Sequence, residues 1–570
     1  MDKNKTYILY KEHYIEAPRV TGDEKLDSLL LELSYLKRMM SDFKECFSFL
    51  DTEYAYVVPL RFEHLWYNYF EQPTPYYDDL VCLLPEFFLI TIVLCLLTVG
   101  VFFHNFYISI GKSLGYQLGL LSIGSLICLF FLVLDSPTSV EALEGSIVKS
   151  QLTLFLSLLV LFGCISVVFL WLSYVVNHES LNFEGLIIFF LVVLGSYMIL
   201  TSNDFLSLYI GVELQSLCLY ILACLKTNST YSTEAGVKYF ILGGLASSFL
   251  LFGITLVYGF TGVINYSDLK LIVLNLTAFN LDLGGLSLGF FFIFCGLIFK
   301  VGGAPFHLWV PDVYEGAPMI VTGFFAIVPK LAIFGVLLRL LSDIVYHFDT
   351  NFLNLFLFSG ILSILIGSFG AVMQISIKRL LSYSAISHGG FILYALSMGV
   401  VESIACACFY LVLYVVLLVN IFAVLISLVQ VHNNSSIKLI SNLRYLQKSN
   451  ALLNIFAFYS FFGIAGIPPL SGFFSKLFVF FTAISNGAFL SGSLCIFLSV
   501  VGSVYYLKVA RSMMFVQNSS QWIFFKPISR LNAMIITYTG LFNILFIVIG
   551  YNFIYDAYNV GLGQSVPLNF

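Results

Sequence analysis

Residues 284–308 read GGLSLGFFFIFCGLIFKVGGAPFHL, an apolar stretch that contains Lys300 and Pro305. About 20 apolar residues in a row are enough for a helix to cross a bilayer. Pro305 removes a backbone donor from this helix, and a charge such as that of Lys300 costs at least roughly 2.5 kcal/mol at the centre of a membrane helix. The stretch therefore predicts a broken transmembrane helix that keeps an ionisable side chain for a function.

The composition predicts that most of the chain lies in a membrane. Of its 570 residues, 59% are hydrophobic and 10% are charged, whereas soluble domains carry roughly 25% charged residues. We count fourteen apolar stretches of spanning length, which predicts an all-α polytopic membrane protein. The predicted spans lie near residues 82–104, 114–134, 151–176, 184–202, 205–225, 234–260, 284–308, 317–342, 352–375, 380–399, 401–430, 451–484, 488–513 and 531–555.

A second span is interrupted in the same way as the seventh. Residues 463–469 in the twelfth span read GIAGIPP, so Pro468 and Pro469 fall inside it. If spans 4–8 and 9–13 form two groups, each break falls in the fourth member of its group. This placement predicts two five-helix repeats, inverted because five is odd, with an ion or substrate site at the breaks. The alternative is that neighbouring helices simply compensate both breaks.

Four lysines and one glutamate lie inside the apolar stretches: Glu213, Lys238, Lys300, Lys330 and Lys476. Lys330 is in the middle of its span, next to Pro329, and Lys476 lies about two helical turns beyond the second break. A lysine that is held away from water can take up and release a proton when a neighbouring charge moves. These positions predict a pathway for protons through the membrane.

Three of the candidates have plausible alternative roles. Glu213 is the only acid well inside a span, and a lysine is its natural partner, either in a pair that opens and closes or in a fixed ion pair. His388 lies between the two groups of charges, where it serves either as a proton relay or as a packing residue. Lys238 is near the start of its span, so its ammonium group can also reach the membrane interface.

The distribution of charge predicts the orientation and a separate N-terminal region. Loops on one side carry eleven Lys/Arg and those on the other side three, which places both termini on the outer face. Residues 1–80 hold 15 acids against nine Lys/Arg, and apolar residues recur at helical spacing from Asp23 to Leu50. We expect residues 1–80 to be an extension outside the membrane, folded on itself or docked to a partner, and residues 81–570 to be the transmembrane domain.

No pattern predicts a cofactor, a metal or a nucleic acid as a ligand of this chain. The eleven cysteines are scattered, and the close pair Cys406 and Cys408 lacks the spacing of a zinc, iron–sulfur or redox motif. The eight histidines give no pair suited to a haem. The membrane part is nearly neutral, which gives no reason to expect nucleic-acid binding.

Four stretches resemble the antiporter-like subunits of NADH:ubiquinone oxidoreductase, respiratory complex I. They are ELQSLCLY (213–220), STEAGVKYF (232–240), PFHLWVPDVYEGAP (305–318) and KRLLSYSAISH (378–388). The resemblance covers most of residues 80–555, and the long proline-containing stretch is highly specific. It implies fourteen helices with two inverted five-helix repeats.

The resemblance also implies roles for single residues. By position, Glu213 matches the family's fifth-helix glutamate, Lys300 and Lys330 its lysines of the seventh and eighth helices, and Lys476 that of the twelfth. The lysine at the last position favours the subunit-2 type, because the subunit-4 type has glutamate there. His388 looks like a residue of the family's central axis.

What the resemblance implies about function is proton translocation without a cofactor in this chain. NADH, FMN, iron–sulfur clusters and ubiquinone are expected in other subunits, and the partners are other complex I membrane subunits and lipids. The implied location is the mitochondrial inner membrane, with a bacterial plasma membrane as the alternative. The family's chains usually begin near a Leu-Pro-Glu such as that at residues 84–86, so the resemblance implies no role for residues 1–80. We expect no long lateral helix after the last span, which argues against the subunit-5 type.

Two other functions remain open from the sequence. One is a free-standing sodium/proton exchanger, since such exchangers have related helices. The other is a structural scaffold in which the buried ions form fixed pairs and the N-terminal helix joins partners. The sequence leaves open which lysine pairs with Glu213.

Overall fold

A computed structural model of the chain falls into two compact units, Met1–Pro75 and Tyr76–Phe570. The residues that the structure describes are 7–10, 13–16, 75–107, 113–137, 140–177, 183–226, 228–278, 284–343, 351–431, 436–515 and 525–565. Within the first unit, strands β1 (Tyr7–Tyr10) and β2 (His13–Glu16) form an antiparallel hairpin in which Tyr7 pairs with Glu16. The helix predicted from Asp23 to Leu50 lies outside the described residues.

The second unit is built of helices. The first half comprises α1 (Pro75–Cys82), α2 (Leu84–Tyr107), α3 (Ser113–Leu134), the hairpin β3 (Val140–Ala142) and β4 (Ile147–Lys149), α4 (Gln151–Asn177), α5 (Glu184–Thr201), α6 (Phe205–Ala223), α7 (Thr230–Thr261), α8 (Tyr266–Ala278), α9 (Gly284–Val301), α10 (Trp309–Gly316) and α11 (Met319–Asp343). The second half comprises α12 (Asn351–Val372), α13 (Ile377–Leu396), α14 (Val401–Ser427), a 3₁₀ helix (Ile440–Tyr445), α15 (Leu446–Ser449), α16 (Ala451–Ala465), α17 (Ser471–Ser485), α18 (Phe489–Met514) and α19 (Arg530–Ser565).

Twelve helices among the described residues are long and apolar enough to cross a membrane. They confirm that the protein is an all-α polytopic membrane protein. The other two predicted spans have a different form in the structure. Residues 380–399 fall largely in α13, a helix of 20 residues, while residues 451–484 are divided between two shorter apolar helices, Ala451–Ala465 and Ser471–Ser485.

The interruption at Pro305 separates α9 from α10. Helix α9 ends at Val301, and Gly302 takes a left-handed φ of 80° that a residue with a Cβ rarely adopts. The amide of Gly302 donates to the carbonyls of Ile298 and Phe299, and Trp309 Nε1 donates to the Phe299 carbonyl at 3.1 Å. The carbonyls at the end of α9 are thus satisfied within the protein, which the lipid environment demands.

The interruption at Pro468 and Pro469 separates α16 from α17. Helix α16 ends at Ala465, followed by Gly466 with a left-handed φ of 83°. Asn543, on α19, spans the gap: its Oδ1 accepts from the Ser471 amide at 3.1 Å, and its Nδ2 donates to the Tyr459 carbonyl at 3.0 Å. One buried amide therefore bonds to both halves of the broken helix, so the break is a supported feature of the fold.

Helices α11 and α14 form the centre of the membrane unit. All residues in the most apolar window of α11 are buried, and 94% of those in α14 are. The peripheral helices instead expose large apolar side chains, such as Phe102 at 79% and Leu490 at 77%. Exposed apolar surface of this kind fits contact with lipid, so the central helices are the ones placed to hold polar groups away from water and lipid.

Two cations that we counted among the outer loops are buried. Lys149 is 3% exposed, and so is Arg339. Arg339 Nη1 donates to the carbonyls of Leu200 at 2.9 Å and Ser202 at 2.7 Å, and Nη2 donates to Asn203 Oδ1 at 3.3 Å. Arg339 therefore fixes the turn between α5 and α6, a structural role that its place at the end of a span did not reveal.

Candidate functional site

The candidate site is a row of buried ionisable side chains that begins in the centre of the molecule with Lys330. Pro329 and Lys330 lie within α11, and Lys330 is 4% exposed. Its Nζ donates a 2.9 Å hydrogen bond to the carbonyl of Ala385 on α13. The ammonium group therefore reaches the neighbouring central helix and stays away from both membrane surfaces.

His388 lies one turn further along α13 and is 6% exposed. Its Nδ1 is 2.6 Å from the hydroxyl of Tyr410 on α14, and its Nε2 is 3.3 Å from the hydroxyl of Tyr506 on α18. The imidazole is also within electrostatic reach of Lys330 and Lys476. The structure thus places His388 between the two lysines and gives both of its ring nitrogens a partner.

Lys476 sits at the break between α16 and α17 and is 8% exposed. Its Nζ donates to the carbonyls of Ala465 at 2.7 Å and Ile464 at 3.4 Å, and it lies 5.6 Å from the centre of the Phe391 ring. These carbonyls are the end of α16, where a positive charge is favoured by the helix dipole. The broken helix therefore supplies the partners of this lysine.

Lys300 and Glu213 form a second pair in the candidate site, and we use the word row for this pair together with Lys330, His388 and Lys476. Lys300 Nζ and Glu213 Oε1 are inaccessible to solvent, and neither atom has a hydrogen-bond partner among the described residues. The two charges are within electrostatic reach of each other, and Lys300 Nζ lies 6.0 Å from the ring of Tyr220. Lys300 is thus the lysine that the structure brings towards Glu213, without a direct hydrogen bond between them.

Lys238 lies apart from this row. Its side chain is 43% exposed, and its Nζ pairs with Glu234 Oε1 at 2.8 Å and Asp312 Oδ2 at 2.9 Å. Glu234 is one turn before it on α7, whereas Asp312 is on α10, just beyond the first break. The ion pair with Asp312 links α7 to the second half of the broken helix, near the surface of the membrane unit.

Sequence reasoning missed the tyrosines around His388. Tyr410 and Tyr506 contact the imidazole directly, and the buried ring of Tyr414 lies 5.6 Å from it. Tyrosine is so frequent in this chain, with 34 copies, that no spacing rule separates these from packing residues. Asn420 is a further buried polar residue, 1% exposed, and no described residue forms a hydrogen bond with its side-chain amide.

The row combines the groups that proton transfer needs. Lysines, a carboxyl, an imidazole and phenols can each carry a proton, and the low dielectric of the interior strengthens every interaction among them. Within the described ranges, no group of three or more His, Cys, Asp or Glu is arranged to hold a metal ion. The fold and the site define a polytopic helical membrane protein with a buried row of ionisable groups beside two broken helices.

Comparisons with known proteins identify the family of the chain. The family model for "NADH:quinone oxidoreductase/Mrp antiporter, TM" matches residues 202–504. "NADH-ubiquinone oxidoreductase chain 2" of Marchantia polymorpha is 37% identical over 473 residues, which are 81% of this chain and 94% of that one. "NADH-quinone oxidoreductase subunit N" of Parvibaculum lavamentivorans is 34% identical over 465 residues, 82% of this chain and 93% of that one.

A solved structure gives the same result. A chain from respiratory complex I of Thermus thermophilus is similar with a TM-score of 0.66 and 26% identity, over 81% of this chain and 98% of that one. The family model covers more than half of the chain, and these relatives extend the similarity over most of it. The chain belongs to the NADH:quinone oxidoreductase/Mrp antiporter family of membrane subunits, which confirms the resemblance seen in its motifs.

Proposed function

We propose that this chain is a proton-translocating membrane subunit of an NADH:ubiquinone oxidoreductase, in the position of chain 2. The observation that carries the proposal is the row of ionisable groups. Glu213 Oε1 and Lys300 Nζ are inaccessible to solvent, and Lys330, His388 and Lys476 are buried. Buried ions are costly, and a protein that needs only a stable fold has no reason to keep four of them in its interior. The relatives named for this enzyme support the same role.

In this proposal electron transfer takes place elsewhere in the complex. NADH, FMN, the iron–sulfur clusters and ubiquinone are held by other subunits, and this chain's partners include the other antiporter-like subunits. The chain itself supplies only proton-binding groups. A change of charge at a neighbouring subunit acts on Glu213. Glu213 passes the effect to Lys300, because the two groups attract each other without a direct bond.

The steps that follow are proton transfers along the row. When the field of Glu213 on Lys300 changes, Lys300 takes up or releases a proton, and the change in charge acts on Lys330. His388 accepts a proton on one ring nitrogen and gives one up from the other, because each nitrogen faces a tyrosine hydroxyl. Lys476 receives the proton at the second break, where the carbonyls of Ala465 and Ile464 stabilise its charged form.

The helix order supports fourteen spans arranged as two inverted repeats. Helices α5, α6, α7, the pair α9 and α10, and α11 form one group. Helices α12, α13, α14, the pair α16 and α17, and α18 form the other. In each group a short helical segment comes just before the broken member, Tyr266–Ala278 in the first and Ile440–Ser449 in the second. Both termini then face the outer side of the mitochondrial inner membrane, or of the plasma membrane if the host is bacterial.

The test replaces Lys330 in the assembled enzyme and measures the protons pumped per NADH oxidised. Lys330→Ala removes the ion, and Lys330→Arg keeps a charge but holds its proton, because the guanidinium group is not deprotonated in proteins. We expect both variants to assemble and to lose pumping per NADH. Full pumping by Lys330→Arg would show that no proton is exchanged at this position.

A matched control is Lys270→Ala, which removes a partly exposed lysine on α8 that is not a member of the row. Pumping by this variant should equal that of the unmodified enzyme. If Lys270→Ala and Lys330→Ala lose pumping equally, the loss reflects assembly and the proposed role of the row is wrong.

A second candidate is a free-standing cation/proton exchanger, which the family description includes through the Mrp antiporters. The two functions differ in whether the chain is part of an NADH-oxidising complex. We expect the chain to migrate with an NADH-oxidising complex when mildly solubilised native membranes are separated on a native gel. Migration as a small species without NADH oxidation, together with sodium/proton exchange by the isolated chain, would favour the exchanger.

A further inference from the structure

A second buried acid–base pair lies outside the row, under the β3–β4 hairpin. Glu86, in the first turn of α2, is 5% exposed, and Lys149, at the end of β4, is 3% exposed. Within the part of the chain that the structure describes, neither carboxyl oxygen of Glu86 has a hydrogen-bond partner on another residue. Lys149 Nζ donates to the Cys82 carbonyl and lies 6.0 Å from the ring of Tyr197 on α5. The carboxyl group of Glu86 and the ammonium group of Lys149 are within electrostatic reach of each other but are not in contact.

The hairpin separates this pair from water. Cys82, Ala142 and Ile147 form a small buried apolar cluster of their own, with Leu83 and Val140 packed on it. The hairpin is fixed to the turn between α5 and α6, since the Asn203 amide donates to the Ser146 carbonyl at 2.7 Å. The cover over the pair is therefore a small apolar cluster, and a main-chain hydrogen bond holds the hairpin to the turn between α5 and α6.

Acidic side chains lie on the outside of this cover. Glu141 and Glu144 are exposed on the hairpin, and Asp79 on α1 accepts from the Leu143 amide at 3.4 Å. Cys82 and Tyr197 are within electrostatic reach of Glu86, and Asp79 is within electrostatic reach of Cys82.

A fixed charge is a poor explanation for Glu86. A buried carboxylate whose oxygens lack hydrogen bonds is unfavourable unless it binds a proton, a water molecule or a cation. Lys149 opposes protonation because its positive charge favours the carboxylate. Two opposing influences of this kind let a carboxyl change its protonation state with the pH or with the charge nearby.

We propose that Glu86 is a proton-exchange site that opens to the outer solution beneath the β3–β4 hairpin, with Lys149 as the cation that drives release. A hydronium ion from the outer solution gives its proton to the carboxylate of Glu86 and leaves a water molecule. Release is the reverse, with a water molecule carrying the proton away to the outer solution. The inference rests on the proposed function, to which it adds a place where protons meet the outer solution.

The first test detects the proton on Glu86 without any pumping. Infrared difference spectra of the full complex between acidic and alkaline buffer report the C=O stretch of protonated carboxyl groups. We expect a band that is lost in Glu86→Gln and present in Glu144→Gln, which changes an exposed acid on the same hairpin. Equal spectra for the two variants across the whole pH range would overturn the proposal, while the role of Lys330 would be unaffected.

The second test measures pumping against outer pH in vesicles that contain the complex. We expect Glu86→Gln to pump at least two-fold fewer protons per NADH than Glu144→Gln. Lys149→Met should shift the outer pH at which pumping is half-maximal, because the cation that favours release is lost. Pumping by Glu86→Gln that equals that of Glu144→Gln at every outer pH would overturn the inference. Loss of pumping in Lys330→Arg in the same vesicles shows that the proposed function holds independently.

Discussion

The contact between His388 and Tyr410 allows a sharp test of proton transfer through the row. Tyr410→Phe removes one hydroxyl, which lies 2.6 Å from His388 Nδ1, and keeps the ring. The ring nitrogen then remains buried without a partner. Such an unsatisfied group costs about 1–3 kcal/mol.

This cost translates into a rate. If the hydrogen-bonded arrangement is needed for each proton that passes His388, a loss of 1–3 kcal/mol slows the transfer roughly 5- to 150-fold. The assay is NADH oxidation coupled to proton pumping in sealed vesicles, compared with uncoupled oxidation in the same preparation. We expect the coupled rate of Tyr410→Phe to fall within that range, with normal assembly of the complex.

Tyr414→Phe is the matched control. Tyr414 is also buried on α14, and its ring lies 5.6 Å from that of His388, but its hydroxyl has no hydrogen-bond partner in the described ranges. Removing an unsatisfied buried hydroxyl should leave the coupled rate within about two-fold. If Tyr410→Phe and Tyr414→Phe behave alike, the bond to His388 does not carry the function and the reasoning is refuted.

Three further predictions concern the stability of the solubilised complex, measured by thermal unfolding. Gly466→Ala should lower the free energy of unfolding more than Gly262→Ala does. Both variants place alanine at a left-handed φ, which costs about 1–2 kcal/mol, but of the two only the Cβ at position 466 meets a neighbour, Lys476 at 3.0 Å. Equal losses of stability would contradict this packing. Asn543→Leu should lower the free energy of unfolding by about 2–4 kcal/mol, because a buried donor and a buried acceptor at the second break lose their partner. A change below about 1 kcal/mol would show that the break is stable without Asn543. Asp312→Asn should lower the free energy of unfolding by less than about 1 kcal/mol, because the ion pair of Asp312 with Lys238 is half-exposed. A larger loss of stability would show that this pair is covered in the assembled complex.

Much of the architecture could be predicted because lipid imposes a simple rule on the sequence. A segment without water must satisfy its own backbone groups, so long apolar stretches become helices. The prolines at 305, 468 and 469 show in the same way where helices stop, since proline cannot donate to the preceding turn. The second break divides its span into two helices of 15 residues each. Each helix alone is shorter than the roughly 20 residues that cross a bilayer, so only the two together have the length of a span.

The partners of the ionisable groups could not be predicted, because they come from distant parts of the chain. Lys330 bonds to a carbonyl 55 positions away, and His388 meets a tyrosine 118 positions away. Arg339 looked like a loop charge at a span end, but its guanidinium group holds a turn 137 positions away. Hydropathy describes the average environment of a segment and carries no information about which side of a helix meets which neighbour.

The sequence by itself determined that the chain is a helical membrane protein, where its helices are broken, to which family it belongs, and which buried side chains can carry charge. Those properties follow from local composition and from motifs that the chain shows directly. The tertiary structure decided that His388 lies between Lys330 and Lys476, that Lys300 is the lysine near Glu213, and that Lys238 stays at the surface. The reason is that the energy with which a buried charge interacts with other groups depends on the distances between helices, and only the packing of the helices sets those distances.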